Sequence, residues 1–291
     1  RGAYDPYLFA PKTACGAPSI PIRMRHSLSV STMNRKDYWN RSYLEYWKER
    51  VAESRKEGGE SAVISGDTKT EDDEVYELIF TRHPMRRGTV LDVGCAWGRM
   101  FPVFKKFGEK ITGIDISKAM IDEAKKNFGR DPLVDGLHEC EAESLPFSDG
   151  QFDNVACLAV FDATYQNRAL AEFLRVLKKG GLLYLTGKND AYDKDDALAR
   201  KAEEGARKKG HPNYFTDTPR MLQELGKQGQ HVAATYFFPR RGDFGQLSYV
   251  TGMPERFYEY FIVVEKRAPH KPFPPFSESV SRTYKGLNGK R

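Results

Sequence analysis

Asp92, Gly94, Gly98 and Asp115 are the residues of this chain whose types and spacing point to chemistry. The run Val90-Leu91-Asp92-Val93-Gly94-Cys95-Ala96-Trp97-Gly98-Arg99-Met100 reads as an apolar strand, a glycine turn and the start of a helix. Glycines in such a turn let backbone amides approach a ligand, and an acid closing the strand can meet a donor group on it. A second apolar run, Ile111-Thr112-Gly113-Ile114, ends in Asp115. That is about where nucleotide-binding folds place a ribose-binding carboxylate. The two strand ends together would cradle a nucleoside-like cofactor. Ala96 fills the middle position of the glycine pattern, so a strict G-x-G-x-x-G is missing and a dinucleotide is disfavoured.

The elements that must hold these residues alternate. Hydrophobic periodicity predicts strand 89–93, helix 98–107, strand 110–114, helix 117–128, a short strand near 137–140, strand 153–160, helix 168–178 and strand 181–187. Such alternation predicts an α/β fold, a parallel sheet covered by helices on both faces, with ligands at the carboxyl ends of the strands. Residues 188–217 read as an insertion, with a charged helical segment over 189–209. Thr218 is expected to cap a helix that has Pro219 at its first position and runs to about Lys227. Val232–Phe238 and Glu259–Glu265 are β-rich and predict a closing antiparallel pair.

The flanks read differently. Residues 1–32, with several prolines, a Ser/Thr-rich tract and few acids, read as a disordered leader before Met33, with some flavour of a transit peptide. Within 33–82, Trp39, Tyr43 and Trp47 share one face of a predicted helix over 36–55. That face suits packing on the core, or a lid over a pocket. A linker over 58–73 and a short helix over 74–82 follow. Residues 268–291 read as a flexible basic tail.

Composition narrows the function classes. The net charge of +6 sits at the two ends: residues 1–50 hold nine Lys/Arg against four Asp/Glu, and 271–291 hold five against one, so the body between is mildly acidic. Without a basic stripe across the body, nucleic acid is disfavoured as a substrate. Cys15, Cys95, Cys140 and Cys157 are scattered, with no C-x-x-C pair, which argues against a zinc site or a disulfide framework and fits a reducing, cytoplasmic setting. No apolar run has the length of a membrane span. No metal site is expected, and the oligomeric state is open between monomer and homodimer.

Downstream of the glycine turn, Leu145-Pro146-Phe147-Ser148-Asp149-Gly150-Gln151-Phe152-Asp153 leads into an apolar run, and Leu177-Lys178-Lys179-Gly180-Gly181 leads into another. With Asp92-x-Gly94-Cys95-x-x-Gly98-Arg99 and Asp115, these segments resemble class I S-adenosylmethionine-dependent methyltransferases over about residues 86–190. The branch they look most like methylates small molecules. The resemblance implies a Rossmann-like, mostly parallel seven-stranded sheet with a terminal antiparallel strand, S-adenosylmethionine as cofactor, S-adenosylhomocysteine as product and a small-molecule acceptor. Residues 83–267 would form that domain.

The same resemblance implies a site. Asp92, Gly94, Cys95, Ala96 and Gly98 would face the methionine end of the cofactor. Asp115 would accept from both ribose hydroxyls, and Ile116 and Met120 would flank the adenine. Glu141, Ala142 and Glu143 would approach the adenine edge, with a solvated loop as the plain reading of the two acids. Leu158 would lie beside the donor methyl group. Asp162, Tyr165 and His211 are the candidates for orienting or deprotonating the acceptor, with Asn189, Asp190, Tyr192 and Tyr214 near them in the expected fold. Two further readings stay open: an RNA or protein methyltransferase recruited through the basic termini, and a non-catalytic cofactor-binding scaffold.

Overall fold

The computed structural model describes residues 34–43 and 71–288. The leader over 1–32, the linker and most of the helix expected over 36–55, Trp47 included, lie outside the described residues. Its centre is a seven-stranded sheet in the order β3-β2-β1-β4-β5-β8-β7. Strands β1 (Thr89–Val93), β2 (Lys110–Asp115), β3 (Val134–Glu139), β4 (Phe152–Cys157) and β5 (Leu177–Lys188) pair in parallel. Strand β8 (Glu259–Glu265) runs antiparallel to β5 and to β7 (His231–Phe238). Val90, Leu91, Val155, Ala156, Leu183, Tyr184 and Leu185 are buried, as expected of strands covered on both faces.

One face carries α5 (Gln166–Val176) and α7 (Thr218–Lys227), which send Leu170, Phe173, Met221 and Leu225 into a core with Leu91 and Val155. The other carries α2 (Glu71–Arg82), α3 (Phe101–Lys106) and α4 (Lys118–Phe128), which pack Tyr76, Phe80, Phe104 and Ile121 against Val90 and Tyr184. Ahead of them, α1 (Arg35–Tyr38) continues into a wide π-type turn over Trp39–Tyr43.

Three boundaries moved for local reasons. Helix α3 starts at Phe101 rather than 98, because the Gly94–Gly98 turn consumes the intervening residues and Pro102 suits only a first turn. Strand β4 stops at Cys157, short of 160: Ala159 turns to φ +58° and Phe161–Ala163 form a short 3-10 turn. Asp217, not Thr218, caps α7 by accepting from the Arg220 N–H, and the Thr218 hydroxyl instead donates to Asn189 Oδ1 at 2.8 Å.

The expected flexible tail is corrected. Residues 268–288 are built into the domain. Phe273 and Phe276 join the α5/α7 core, and β9 (Ser277–Glu278) pairs antiparallel with β6 (Phe215–Thr216) of the insertion. Arg282, opening α8 (Arg282–Asn288), donates to both oxygens of Asp190 at 2.6 and 2.8 Å. Ser281 gives its N–H and hydroxyl to Glu203 on α6 (Ala197–Lys208), which also takes the Tyr192 hydroxyl. The tail's apolar residues are too sparse to show a period. What orders them is a partner surface on the insertion, about ninety residues back in the chain.

Among the described residues no helix is long and apolar enough to cross a membrane. Phe276→Ala should lower stability by about 3–5 kcal/mol, the usual cost of removing a buried phenyl ring, read as a shift of the urea midpoint. A shift under about 0.5 kcal/mol, typical of a surface position, would mean the tail is not part of the core.

Candidate active site

The glycine turn links the end of β1 to α3. Gly94 and Gly98 lie at φ +73° and +86°, in the region that favours glycine. A Cβ on Gly94 would sit 2.4 Å from Val160 Cγ2, so no larger residue fits between the turn and the segment after β4. Ala96 also holds a left-handed φ of +49°, at a cost of roughly 1–2 kcal/mol for a residue with a Cβ. The turn therefore keeps its shape without a third glycine, and its restraint is visible. The Ala96 N–H donates to Asp115 Oδ2 at 3.0 Å, and the Gly94 and Cys95 amides donate to Ile114 O at 2.8 and 2.9 Å.

Asp115, last in β2, takes the Ser117 N–H on Oδ1 at 2.8 Å, while Ser117 caps α4. Each carboxylate oxygen has room for a second donor. Burial pushes the Asp115 carboxyl up to about 6, against the pull of the Ser117 and Ala96 amides. Asp92 lies in the strand alongside, 3% exposed. Burial pushes it up to about 7, opposed by the Arg99 charge and assisted by Asp115. Its Oδ2 is buried with no hydrogen-bond partner among the described residues. A buried acceptor without a donor is costly, and it fits a ligand that brings one. Two carboxylates beside a tight glycine turn, whose Gly94, Cys95, Ala96 and Gly98 amides are bonded within the fold, suit a cofactor bearing an ammonium and a ribose diol. Met120 is buried on α4 and Ile116 half-buried before it, on the same side as Asp115.

The acids after β3 behave differently from a solvated loop. Glu143 is buried and takes two hydrogen bonds from the Arg35 guanidinium, at 2.5 and 2.7 Å, as well as the Tyr165 N–H at 2.5 Å. Arg35 also reaches Glu141 at 3.2 Å and Ala163 O at 3.3 Å, and lies 4.6 Å from the centre of the Tyr165 ring. Glu141 is exposed and Ala142 packs partly on the core. Glu141 thus has one oxygen on Arg35 of α1 and is otherwise exposed.

The same short segment spans the carboxyl end of the sheet. The Ser117 hydroxyl donates to Asn40 Oδ1 at 3.2 Å at one side. At the other side the Tyr38 hydroxyl and His211 Nδ1 are 2.9 Å apart, and Trp39 meets the His211 ring edge-on at 4.8 Å.

The catalytic candidates part company. Asp162 binds Lys188 at 2.5 Å, and Lys188 also reaches Asn213 at 3.4 Å. Burial works against the Lys188 ammonium, but Asp162 beside it outweighs that and holds its pKa above the usual lysine range. His211 is driven down to about 4, chiefly by burial, so its ring is neutral near pH 7. Tyr165 is 44% exposed and lies beneath Arg35. Asn189 is spent on Thr218 of α7, and Asp190 and Tyr192 on Arg282 and Glu203, which brace the tail. Leu158 is buried in the α2/α3 core. Cys95 and Cys157 are buried and free; burial pushes both thiols well up, as for packing residues rather than nucleophiles. Among the described residues no cluster of acids, histidines and cysteines could hold a metal.

A cavity of about 400 Å³ opens between the ends of β4 and β5, with Tyr76, Ala159, Asp162, Lys188, Arg241 and Tyr260 in its wall. Sequence reasoning missed Arg35, Lys188 and Arg241. For Lys188 a signal existed: a charge ending an apolar strand at the edge where ligands bind.

Comparison with known proteins places this geometry. Residues 91–185 match the family described as a methyltransferase domain. A malonyl-acyl-carrier-protein O-methyltransferase of Enterobacter lignolyticus is 30% identical over 166 residues, 56% of this chain and 63% of that one. A ubiquinone/menaquinone biosynthesis C-methyltransferase of Bordetella avium is 45% identical over 69 residues, 22% of this chain and 27% of that one. This chain therefore spans between about a quarter and two thirds of the length of these relatives. Magnesium protoporphyrin IX methyltransferase of Synechocystis, solved with bound S-adenosylhomocysteine, superposes with a TM-score of 0.52 at 16% identity, over 80% of this chain and all of that one. That likeness shows a shared fold.

Arg35→Met leaves the buried Glu143 carboxylate unpaired and should cost about 3–5 kcal/mol. Adding Glu143→Gln, which keeps an acceptor for the Tyr165 N–H, should recover at least half of that in a double-mutant cycle by urea unfolding. Additive losses would show that the pair contributes nothing as a pair.

Proposed function

We propose that this protein transfers a methyl group from S-adenosylmethionine to an oxygen or nitrogen atom of a small molecule, a reading supported by the match of residues 91–185 to the methyltransferase domain family and by the order of the seven-stranded sheet. The observation that carries the reading is the pair of buried carboxylates at the glycine turn, Asp92 with a partnerless Oδ2 and Asp115 with acceptor capacity to spare.

S-adenosylmethionine supplies an activated methyl carbon together with its own leaving group, so the protein's work is alignment and exclusion of water. Asp115 would bind the ribose diol, one hydroxyl to each oxygen. Asp92 would meet the ammonium of the methionine end, directly or through water, and the backbone of the turn at Gly94 and Gly98, free of Cβ atoms, would line the same end. Ile116 and Met120 would flank the adenine. Segment 34–43 would close over the bound cofactor, pinned by Arg35 on Glu143 and by Tyr38 on His211. In this role His211 is a latch for the lid rather than a base. The cavity beside Asp162 and Lys188 would receive the acceptor, and its volume is that of a small-molecule site.

Two of the C-terminal basic residues, Arg282 and Lys285, favour this reading over recruitment of a polyanion. Arg282 is committed to Asp190, and Lys285 pairs with Glu278.

S-adenosylhomocysteine should bind the purified chain in a calorimetric titration. Asp115→Ala should weaken it about 100-fold or more, through loss of two charge-assisted hydrogen bonds at about 1.5–3 kcal/mol each. No heat from the wild type would overturn the function, and an unchanged affinity in the variant would overturn the ribose role.

A further inference from the structure

The acceptor cavity has an unusual lining for a site of methyl transfer. Two cations face it, Lys188 and Arg241, among aromatic walls from Tyr76, Phe244 and Tyr260. Arg241 has no ion pair with a carboxylate among the described residues: its guanidinium donates to the Tyr258 hydroxyl at 2.8 Å and lies 5.5 Å from that ring's centre. That is its one guanidinium hydrogen bond among the described residues, and Glu259 and Asp196 lie near enough to favour its charge. The ammonium of Lys188 has used two donors, on Asp162 and Asn213, and keeps a third. Glu259 also lines the cavity, so the lining is not cationic throughout.

The three bases expected from the sequence each have a partner in the structure, while Glu259 lines the wall beside Arg241. Asp162 is held by Lys188, His211 is latched to Tyr38, and Tyr165 lies under Arg35, outside the cavity wall. A neutral hydroxyl acceptor would need one of them to take its proton. An amine acceptor would develop positive charge beside Arg241, in a wall where Asp162 already neutralises Lys188. An oxygen already anionic at neutral pH needs no base, and Arg241, which has no salt bridge among the described residues, can pair with it, with the remaining donor of Lys188 beside it.

We infer that the acceptor is an organic acid with an apolar body, and that Lys188 and Arg241 hold its carboxylate for methylation. The inference rests on the proposed methyltransferase function and gives the class of its acceptor. A carboxylate oxygen attacks the sulfonium methyl carbon, the O–C bond forms as the C–S bond breaks, and the bonding pair goes to sulfur. The products are a methyl ester and S-adenosylhomocysteine, and no proton moves. The planar guanidinium of Arg241 matches a carboxylate through two parallel hydrogen bonds, and Lys188 contributes a compact charge in the cavity wall.

The test uses the full chain with methyl-labelled S-adenosylmethionine and a small-molecule extract of the source cells. The expected label is alkali-labile, released as labelled methanol, as a methyl ester requires. Lys188→Met and Arg241→Gln should each lower turnover of that acceptor at least about tenfold while leaving S-adenosylhomocysteine affinity within about twofold of wild type. Arg241 is on the surface, so its variant tests the idea even if Lys188→Met does not fold. Label that is stable to alkali, or absent, overturns the inference, as does full turnover by Arg241→Gln. Failure of the wild type to bind S-adenosylhomocysteine would instead refute the methyltransferase reading itself.

Discussion

The Asp115 carboxylate is the constraint on which the site depends. One oxygen takes the Ala96 N–H and the other the Ser117 N–H, so a single buried side chain ties the turn after β1 to the start of α4. That tie holds Ala96 in a left-handed conformation its Cβ resists. The register of β1 on β2, Val93 opposite Ile114, sets the two strand ends level, so Asp92 and Asp115 come to share one buried volume. Shared burial then pushes both carboxyls up, and the result is a pair of acids whose charge awaits hydrogen-bond donors.

Everything at the carboxyl edge of the sheet is arranged around that volume by ion pairs between distant parts of the chain. Arg35 and Glu143, with side chains 11% and 2% exposed, fasten the N-terminal segment over one side. Lys188 and Asp162, 23% and 12% exposed, stand in the wall of the cavity at the ends of β4 and β5 on the other. The C-terminal residues brace the insertion from behind through Arg282 on Asp190 and Ser281 on Glu203. Such pairs add little net stability compared with apolar packing, but each fixes an orientation, because breaking it strands a charge. Ala159, a second alanine at positive φ, lies between the cofactor turn and the cavity, with its N–H on Thr186 Oγ1 at 2.6 Å. Strain of this kind gathers where a structure is committed to a function.

What could be read in the sequence was what is local. The strand–turn–helix around Gly94, the acid closing β2 and the antiparallel pair at 232–238 and 259–265 all follow from period and turn chemistry within a few residues. What could not be read was pairing at long range. Arg35 meets Glu143 across 108 positions and Ser281 meets Glu203 across 78, and neither pair leaves a periodic trace. The same holds for Phe273 and Phe276, two aromatics among prolines that look like a solvated tail until β6 supplies a partner strand. His211 was visible as an unusual histidine, yet its role depended on Tyr38 and Trp39 arriving from the other end of the domain.

The claim that Asp92 and Asp115 form the cofactor cradle is tested most directly by the pH dependence of S-adenosylhomocysteine affinity. Both carboxyls lie above the usual range, at about 7 and about 6, so the free protein holds protons there that a donor-rich ligand must displace. Binding favours the ionised form and lowers both values. Affinity should therefore rise with pH from about 5.5 to about 7, by up to about tenfold per unit for each proton released, and level off above that. An affinity constant across this window would contradict the account, since the ligand would then bind without drawing on either acid.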